Sequence, residues 1–380
     1  MVSLKNRIVS ILVAVNLLLP IFLINTRADE LKISAKSAIL VNADTGEVIY
    51  EKDAYTKRGM ASTTKIMTSL LALESGELEK DVTVNQEDVR VEGTAVGLKA
   101  GDNISIRDLV YGMLLSSGND CANACATAFC DTKDGFVRLM NEKAQSLGML
   151  NTNFTNPSGL PDENHYSTAY DMALLGVYAI KNPAFVTVCS SKSATISFGN
   201  PKHSYTIQNH NKLLTSLDGV FGLKTGFTKS SGRCLVSCCY RNSVTLVCVT
   251  LSAPDDWQDH KLLYDYGFSQ VKSKDFTVDL KGVKIPVVGS GQKYVNVEAK
   301  EDISVSYYNK NLQFDTEILC EKFLYAGVKK GDKVGKVQII DQNKRVYKEI
   351  CLYSKDDAPL NFEIKNTKGI FERIKQFFYK

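Results

Sequence analysis

Apolar residues recur with different periods along the chain, and each period predicts a different kind of structure. Residues 37–41 and 47–50 alternate around the turn Asp44-Thr45-Gly46, which predicts a β-hairpin. Helical spacing then appears in the runs 62–73, 106–115, 122–129, 136–147 and 168–178, and short strand-like pieces fall at 82–84 and 103–106. Strand patterns return at 221–227, 234–239 and 244–251, and a short helix is predicted at 261–268. Strands at both ends with helices between them predict one antiparallel sheet with helices packed on it.

After residue 268 the chain changes to short alternating segments separated by turns, which predicts a small all-β domain over residues 275–364. Sequences such as Gly289-Ser290-Gly291 and Lys330-Gly331-Asp332 mark the turns. This region contains no histidine and no cluster of catalytic residue types. We therefore interpret it as a spacer or a binding module.

The first 28 residues have the features of a secretory signal peptide. Lys5 and Arg7 precede a mostly apolar run over residues 8–24, and Thr26-Arg27-Ala28 resembles a cleavage site. The apolar run is long, so an uncleaved membrane anchor is the alternative. Either interpretation predicts that the rest of the chain is exported.

Residues 366–380 predict an amphipathic helix at the other end of the chain. Basic residues alternate with an apolar face made of Ile370, Ile374, Phe377 and Phe378. The segment is too short to cross a bilayer, and its profile is typical of a helix in the membrane interface. We expect it to bind the outer face of the cytoplasmic membrane, with docking on the protein itself as the alternative.

Composition excludes some functions. The chain has 380 residues, enough for more than one domain, and its net charge of +4 is mild. No stretch combines basic clusters with aromatic residues, so nucleic acid is not an expected partner. Seven of the ten cysteines fall in helical or strand-like apolar runs, and no Cys-x-x-Cys pair is present, which favours core residues over disulfides or a metal site. We predict neither a metal nor a cofactor.

Ser62-Thr63-Thr64-Lys65 begins the first helical run. Ser62 is predicted to start the helix, and the three-residue spacing places the Ser62 hydroxyl and the Lys65 amine on the same side. Such a pair can be a nucleophile with its base. The spacing recurs in Ser269-Gln270-Val271-Lys272, which we interpret as a loop. Alone, the spacing is more typical of a capped core helix with a solvent-facing lysine.

Two further motifs favour a catalytic role for the Ser62-Lys65 pair. Ser117-Gly118-Asn119 falls at a turn between two helices, and Lys224-Thr225-Gly226 falls on a strand. Together the three motifs are the signature of penicillin-recognising serine enzymes. The chain resembles the low-molecular-mass penicillin-binding proteins, the serine-type D-alanyl-D-alanine carboxypeptidases. The resemblance implies an α+β fold, with a β-lactamase/transpeptidase-like domain over residues 29–270 (an antiparallel sheet with helices on both faces) before the small all-β domain.

The resemblance also implies a role for each residue. Ser62 would attack the carbonyl between the two terminal D-alanines of a peptidoglycan stem peptide. Lys65 would accept its proton, which requires a pKa lowered by burial and by Lys224. Ser117 would relay a proton to the leaving amine. Asn119 would hold Lys65 and the substrate amide.

The strand motif would complete the site. Lys224 and Thr225 would bind the terminal carboxylate, and Gly226 would keep the strand thin beside the substrate. The backbone N–H groups of Ser62 and Phe227 would form the oxyanion hole. Water would hydrolyse the acyl-enzyme, whereas β-lactam antibiotics would acylate Ser62 and leave slowly.

Some features depart from the family pattern. The Ser-Gly-Asn motif differs from the Ser-Asp-Asn of class A β-lactamases, and Phe227 stands where some relatives carry histidine. No arginine accompanies Asp255-Asp256-Trp257, so the cation that assists Lys224 is open. His165, His203, His210 and His260 are isolated and are interpreted as structural or surface residues. The alternatives are a β-lactamase or D,D-endopeptidase on the same fold, or a catalytically inactive cell-wall-binding protein.

Overall fold

The computed structural model describes residues 31–130, 132–301, 303–308 and 312–361. The predicted signal peptide (1–28) and the predicted membrane-associating helix (366–380) lie outside the described residues. The strands and helices below therefore belong to the predicted catalytic and all-β regions.

The elements follow in chain order. The strands of the first region are β1 (Ser37–Asn42), β2 (Val48–Lys52), β3 (Asp81–Thr83), β4 (Asn103–Ser105), β5 (Ser193–Gly199), β6 (Lys202–Gln208), β7 (Val220–Thr228), β8 (Gly232–Arg241) and β9 (Val244–Leu251). Its helices are α1 (Lys65–Glu74), α2 (Ile106–Leu114), α3 (Asn119–Phe129), α4 (Lys133–Ser146), α5 (Ala169–Ala179), α6 (Pro183–Ser190), α7 (Leu213–Ser216) and α8 (Asp256–Gln270).

A five-stranded antiparallel sheet forms the centre of this region, in the order β2-β1-β9-β8-β7. The N-terminal hairpin β1-β2 joins the later strands through β1, where Leu40 lies opposite Cys248 of β9. Strand β7 lies at one edge of the sheet and pairs with β8. The prediction of one sheet completed by both ends of the region is confirmed.

Helices cover both faces of this sheet, as predicted. On one face, α5 packs closely enough that a Cβ at Gly176 would lie 3.0 Å from Val247. On the other face, a Cβ at Gly267 of α8 would lie 2.5 Å from Leu40. Every residue of β1 is buried, which fits a strand covered on both faces.

The second sheet and the helices α6 and α7 were not predicted, although strand-like pieces were expected at 82–84 and 103–106. The sheet has the order β3-β4-β5-β6, and its strands β5 and β6 form a hairpin. Nearly all of β6 is exposed, so its residues do not alternate between apolar and polar types in the way that a half-buried strand does. Helix α6 is short and is capped by Asn182 before Pro183.

Two further boundaries differ from the predictions. Helix α8 was predicted over 261–268 and begins five residues earlier, at Asp256. The segment 269–272, predicted as a loop, contains the end of α8 and the first residue of the following strand. Both differences arise at polar helix ends, where apolar periodicity gives no signal.

Strands are the only regular elements among the residues that the structure describes after Gln270. They are β10 (Lys272–Phe276), β11 (Lys284–Val288), β12 (Tyr294–Ala299), β13 (Ile303–Tyr307), β14 (Phe314–Cys320), β15 (Leu324–Tyr325), β16 (Lys333–Asp341) and β17 (Val346–Ser354). Strand β10 pairs with β13, and the other six form one sheet around buried residues that include Val295, Ile339 and Leu352. The prediction of an all-β region is confirmed.

All ten cysteines lie in the described residues, and all are free thiols. Seven are buried, including Cys121 and Cys125 on α3 and Cys234 on β8. Burial raises the pKa of Cys125 to about 12 and that of Cys234 to about 11. These cysteines pack as small apolar side chains.

The described residues contain no group of three or more His, Cys, Asp or Glu side chains arranged to hold a metal ion. No single described helix is long and apolar enough to cross a membrane, and only the pair α5 and α6, bent by 107°, meets that criterion jointly. Both helices contribute residues to the hydrophobic core.

Candidate active site

Ser62 lies on a 3₁₀ turn, Ala61–Thr64, that leads into α1. The prediction that Ser62 begins the α-helix is therefore wrong by one turn, since α1 begins at Lys65. The hydroxyls of Thr63 and Thr64 donate to the carbonyls of Met60 and Ala61 at 2.6 and 2.8 Å. These bonds fix the turn that carries Ser62.

Lys65 is fully buried beside the nucleophile. Its Nζ lies 3.0 Å from Ser62 Oγ, 2.7 Å from Asn119 Oδ1 and 2.6 Å from the carbonyl oxygen of Ser158. Burial, reinforced by the positive charge of Lys224, holds the pKa of Lys65 well below its ordinary value. The site thus contains an amine that loses its proton more readily than an ordinary lysine.

The Ser-Gly-Asn motif lies at the predicted turn between α2 and α3. Ser117 has a φ of +62°, and Asn119 is the first residue of α3. The Asn119 side chain donates through Nδ2 to the carbonyl of Glu92 at 2.6 Å. This bond leaves Oδ1 turned toward Lys65, so the orientation of the amide is fixed from both ends.

The Lys-Thr-Gly motif reaches the site from the edge strand β7. Lys224 is almost fully buried, and its Nζ donates to the carbonyl of Thr225 at 2.9 Å. Burial lowers the pKa of Lys224 to about 7. A Cβ at Gly226 would lie 3.0 Å from the backbone nitrogen of Ser62. Glycine therefore lets β7 approach the nucleophile turn closely, where an added Cβ would be crowded.

One cleft of about 550 Å³ unites these elements. The predicted residues on its wall are Ser62, Ser117, Thr225, Gly226 and Phe227. Contacts already described place Lys65, Asn119 and Lys224 directly behind that wall. The structure brings all eight predicted site residues together.

Several residues at the site were not predicted. Ser158 contributes its carbonyl to Lys65, and Arg233 lines the cleft from β8. No arginine lies near residues 255–257 in the sequence. Arg233 is distant in sequence, but in the structure its guanidinium lies 2.8 Å from Asp256. The signal that could have found Arg233 is the strand pairing, which places it opposite Phe227.

The histidines are less isolated than predicted. His165 is buried behind the nucleophile turn, where its Nε2 lies 2.8 Å from Thr64 Oγ1. His210 lines the cleft. His260 is fully buried between Ser237 and Thr250, and burial lowers its pKa to about 3. His165 and His260 therefore have structural contacts, and His210 borders the site.

Comparison with known proteins gives the family. A family model described as D-alanyl-D-alanine carboxypeptidase matches residues 24–255, which is more than half of the chain. The chain belongs to this family. It is a serine-type D-Ala-D-Ala carboxypeptidase, and peptidoglycan stem peptides and β-lactams are the ligands that its family implies. A second model, described as penicillin-binding protein 5, C-terminal domain, matches residues 267–359.

Individual relatives support the assignment. The carboxypeptidase is 30% identical over 364 residues to D-alanyl-D-alanine carboxypeptidase DacF of Bacillus subtilis (strain 168), covering 92% of this chain and 93% of that protein. The solved Streptomyces K15 DD-transpeptidase is 31% identical with a TM-score of 0.60, and the match covers 63% of this chain and 98% of that one. The fold of DacD from Francisella tularensis matches 87% of this chain and 95% of its own, with a TM-score of 0.59 and 24% identity.

Proposed function

We propose that this carboxypeptidase removes the terminal D-alanine from peptidoglycan pentapeptide stems through an acyl-enzyme on Ser62. The observation that carries the proposal is the set of contacts around Lys65. A neutral amine has two N–H donors and one lone pair. Asn119 Oδ1 and the Ser158 carbonyl can only accept, so they take both donors. The lone pair is left for the Ser62 hydroxyl, 3.0 Å away.

Acylation then follows from this arrangement. The Ser62 hydroxyl transfers its proton to Lys65 while its oxygen bonds to the carbonyl carbon of the penultimate D-alanine. The backbone N–H groups of Ser62 and Phe227 stabilise the oxyanion. The C–N bond breaks, and the proton on Lys65 passes through Ser117 to the departing amine. Free D-alanine leaves, and water hydrolyses the ester.

The edge strand determines how the substrate lies. The free edge of β7 offers backbone groups to an extended peptide, in the manner of an added strand. An antiparallel peptide would place its terminal carboxylate at Lys224 and Thr225, and its scissile carbonyl at Ser62. Asn119 would receive the substrate amide from the opposite wall.

Mass spectrometry of the intact protein after exposure to benzylpenicillin tests this proposal. We expect a long-lived adduct on Ser62, together with D-alanine release from a diacyl-D-Ala-D-Ala peptide. Rapid turnover of the penicillin would indicate a β-lactamase. Cleavage of cross-linked dimers in preference to the pentapeptide would indicate an endopeptidase, and neither acylation nor release would indicate an inactive wall-binding protein.

We also propose that the protein is exported and held at the outer face of the cytoplasmic membrane by residues 366–380. The support is the apolar face and the basic residues of that segment, together with the signal-peptide pattern at the N-terminus. A variant truncated after residue 365 should no longer float with anionic liposomes, whereas the full chain should. Equal flotation of the two proteins would contradict the anchor.

A further inference from the structure

Arg233 lies in the active-site cleft, although it belongs to none of the three motifs. It is directly opposite Phe227 of β7, and opposed residues of antiparallel strands project to the same face of a sheet. Residues two apart on a strand also share a face, so Thr225 and Phe227 project together with Arg233. All three line the cleft that contains Ser62.

Helix α8 holds the guanidinium of Arg233 from behind. Its Nε and Nη2 both donate to Oδ1 of Asp256, at 2.9 and 2.8 Å. The guanidinium carbon also lies 5.4 Å from the centre of the Trp257 ring. The Asp256 side chain is only 2% exposed, whereas that of Arg233 is 39% exposed. A guanidinium has five N–H donors, so the contacts to Asp256 orient the group and leave donors for a ligand in the cleft.

The other cation of the site is poorly suited to act alone. Lys224 is buried, and its Nζ already donates to the carbonyl of Thr225. Because burial lowers the pKa of Lys224 to about 7, a large share of the molecules lose this charge at neutral pH and above. Arginine stays protonated throughout this range, and its planar donors match a carboxylate in a two-point contact.

We propose that Arg233 is the second cation that binds the free α-carboxylate of the terminal D-alanine, together with Lys224 and Thr225. Arg233 then selects peptides that end in a free acid. Asp256 and Trp257 are positioning residues that fix the guanidinium. The inference rests on the proposed function, since that function places the carboxylate beside Thr225. The arginine therefore belongs to β8, and segment 255–257 provides the residues that hold its guanidinium in place.

Lys212 is the competing cation in the same cleft. It is exposed, and a lysine ammonium is a strongly hydrated point charge on a flexible stem. Lys212 therefore offers less directional binding than the anchored guanidinium. Separate substitutions of Arg233 and Lys212 distinguish the two cations.

The test compares a diacyl-D-Ala-D-Ala peptide with its C-terminal amide, using the whole protein. Arg233→Gln should lower kcat/KM for the free acid by about 10- to 100-fold, the usual range for a lost charge-assisted hydrogen bond. The amide should change by less than about twofold, so the preference for the acid collapses. Arg233→Lys should restore part of that preference. Lys229→Gln, which removes an exposed charge from the adjacent β7–β8 turn, should leave the preference unchanged.

Arg233→Gln leaves the buried carboxylate of Asp256 without this partner, so the double variant Arg233→Gln/Asp256→Asn is measured beside it. Loss of selectivity in both variants supports the proposal. Equal losses on acid and amide in both variants would mean that Arg233 is only structural. Collapse of the preference in Lys212→Gln, with the preference retained in Arg233→Gln, would also overturn the inference. If the wild-type protein released neither D-alanine from the acid nor D-alaninamide from the amide, the proposed function would fail and this inference with it.

Discussion

The stretches 62–65 and 269–272 share the Ser-x-x-Lys spacing, but their surroundings differ strongly. Ser62 lines the active-site cleft, and Lys65 is fully buried behind it, 3.0 Å from the serine hydroxyl. Ser269 and Lys272 lie at the junction of α8 and β10, where both are exposed. There the Ser269 hydroxyl donates to the carbonyl of Tyr266 at 2.7 Å. The Ser-x-x-Lys spacing is therefore catalytic only where the lysine is buried and other residues hold it beside the serine.

The difference lies in how each lysine is solvated. Water stabilises an ammonium ion at a protein surface, so a surface lysine has little tendency to act as a base. Lys65 has lost that water and faces a second cation, Lys224, so its neutral form is favoured. The cost of burying the amine is offset by hydrogen bonds to Asn119 and Ser158.

The strongest contrast between the two stretches is expected for the serines. Ser62→Ala removes the nucleophile and should lower D-alanine release by about 10⁴-fold or more. Ser269→Ala removes an identical hydroxyl at the surface and should leave release within about twofold. A coupled assay for free D-alanine measures both variants. D-alanine release by Ser62→Ala close to the wild-type rate would show that Ser62 is not the nucleophile.

We expect a somewhat smaller contrast between substitutions of Lys65 and Lys272 than between those of the two serines. Lys65→Met removes the proton acceptor and should slow acylation of Ser62 by about 10²- to 10⁴-fold, the usual range for a lost general base. Stopped-flow acylation by a fluorescent penicillin gives this rate. Lys272→Met serves as the control and should acylate at the wild-type rate. We expect Lys65→Met to unfold at the same temperature as the wild type or higher, because it removes a buried ionisable group. A variant that loses activity only by unfolding would contradict this account.

The pH dependence should reveal the two buried amines. As pH falls through the lowered pKa of Lys65, the amine becomes an ammonium ion that cannot accept the Ser62 proton, so kcat/KM should fall on the acid side. As pH rises above about 7, Lys224 loses the charge that binds the carboxylate, so the Michaelis constant for free-acid peptides should rise. Initial rates from pH 5 to 10 test both limbs. A flat profile across that range would argue against titration of either lysine.

The smallest effect is expected at Gly226. Its replacement by alanine brings a Cβ to within 3.0 Å of the backbone nitrogens of Ser62 and Thr63. The strand or the 3₁₀ turn must shift by a few tenths of an ångström, so kcat should fall by roughly tenfold with little change in unfolding temperature. Steady-state kinetics and thermal denaturation distinguish this shift from general destabilisation. An unchanged kcat would show that the turn tolerates the added methyl group.

The sequence predicted the central sheet and the site better than it predicted the periphery. Each motif falls in an element with a clear period, because α1, α3 and β7 all bury apolar residues. The exposed strand β6 lacks that period and was missed. The start of α1 was placed too early because the 3₁₀ turn Ala61–Thr64, which opens with a φ of +48° at Ala61, leads directly into the helix. Backbone conformation of this kind leaves no mark on hydrophobic spacing.

Contacts between distant residues were the other limit. The carbonyl of Ser158 and the side chain of Arg233 reach the site through strand register and loop packing, 93 and 23 residues from Lys65 and Asp256 respectively. Side-chain type alone does not single them out. Ser158 acts through its backbone, which every residue possesses, and arginine is common at surfaces.

The buried free thiols have a consequence for how this protein ages in contact with oxidants. Thiolate is the form that oxidants attack, and burial raises the pKa of thiols such as Cys125 and Cys189 to about 12. These groups can react only when the surrounding structure opens. The lifetime of the reduced protein is therefore set by the frequency of unfolding events. Pulsed alkylation followed by peptide mapping would measure, at each buried cysteine, how often the helix or strand that covers it opens.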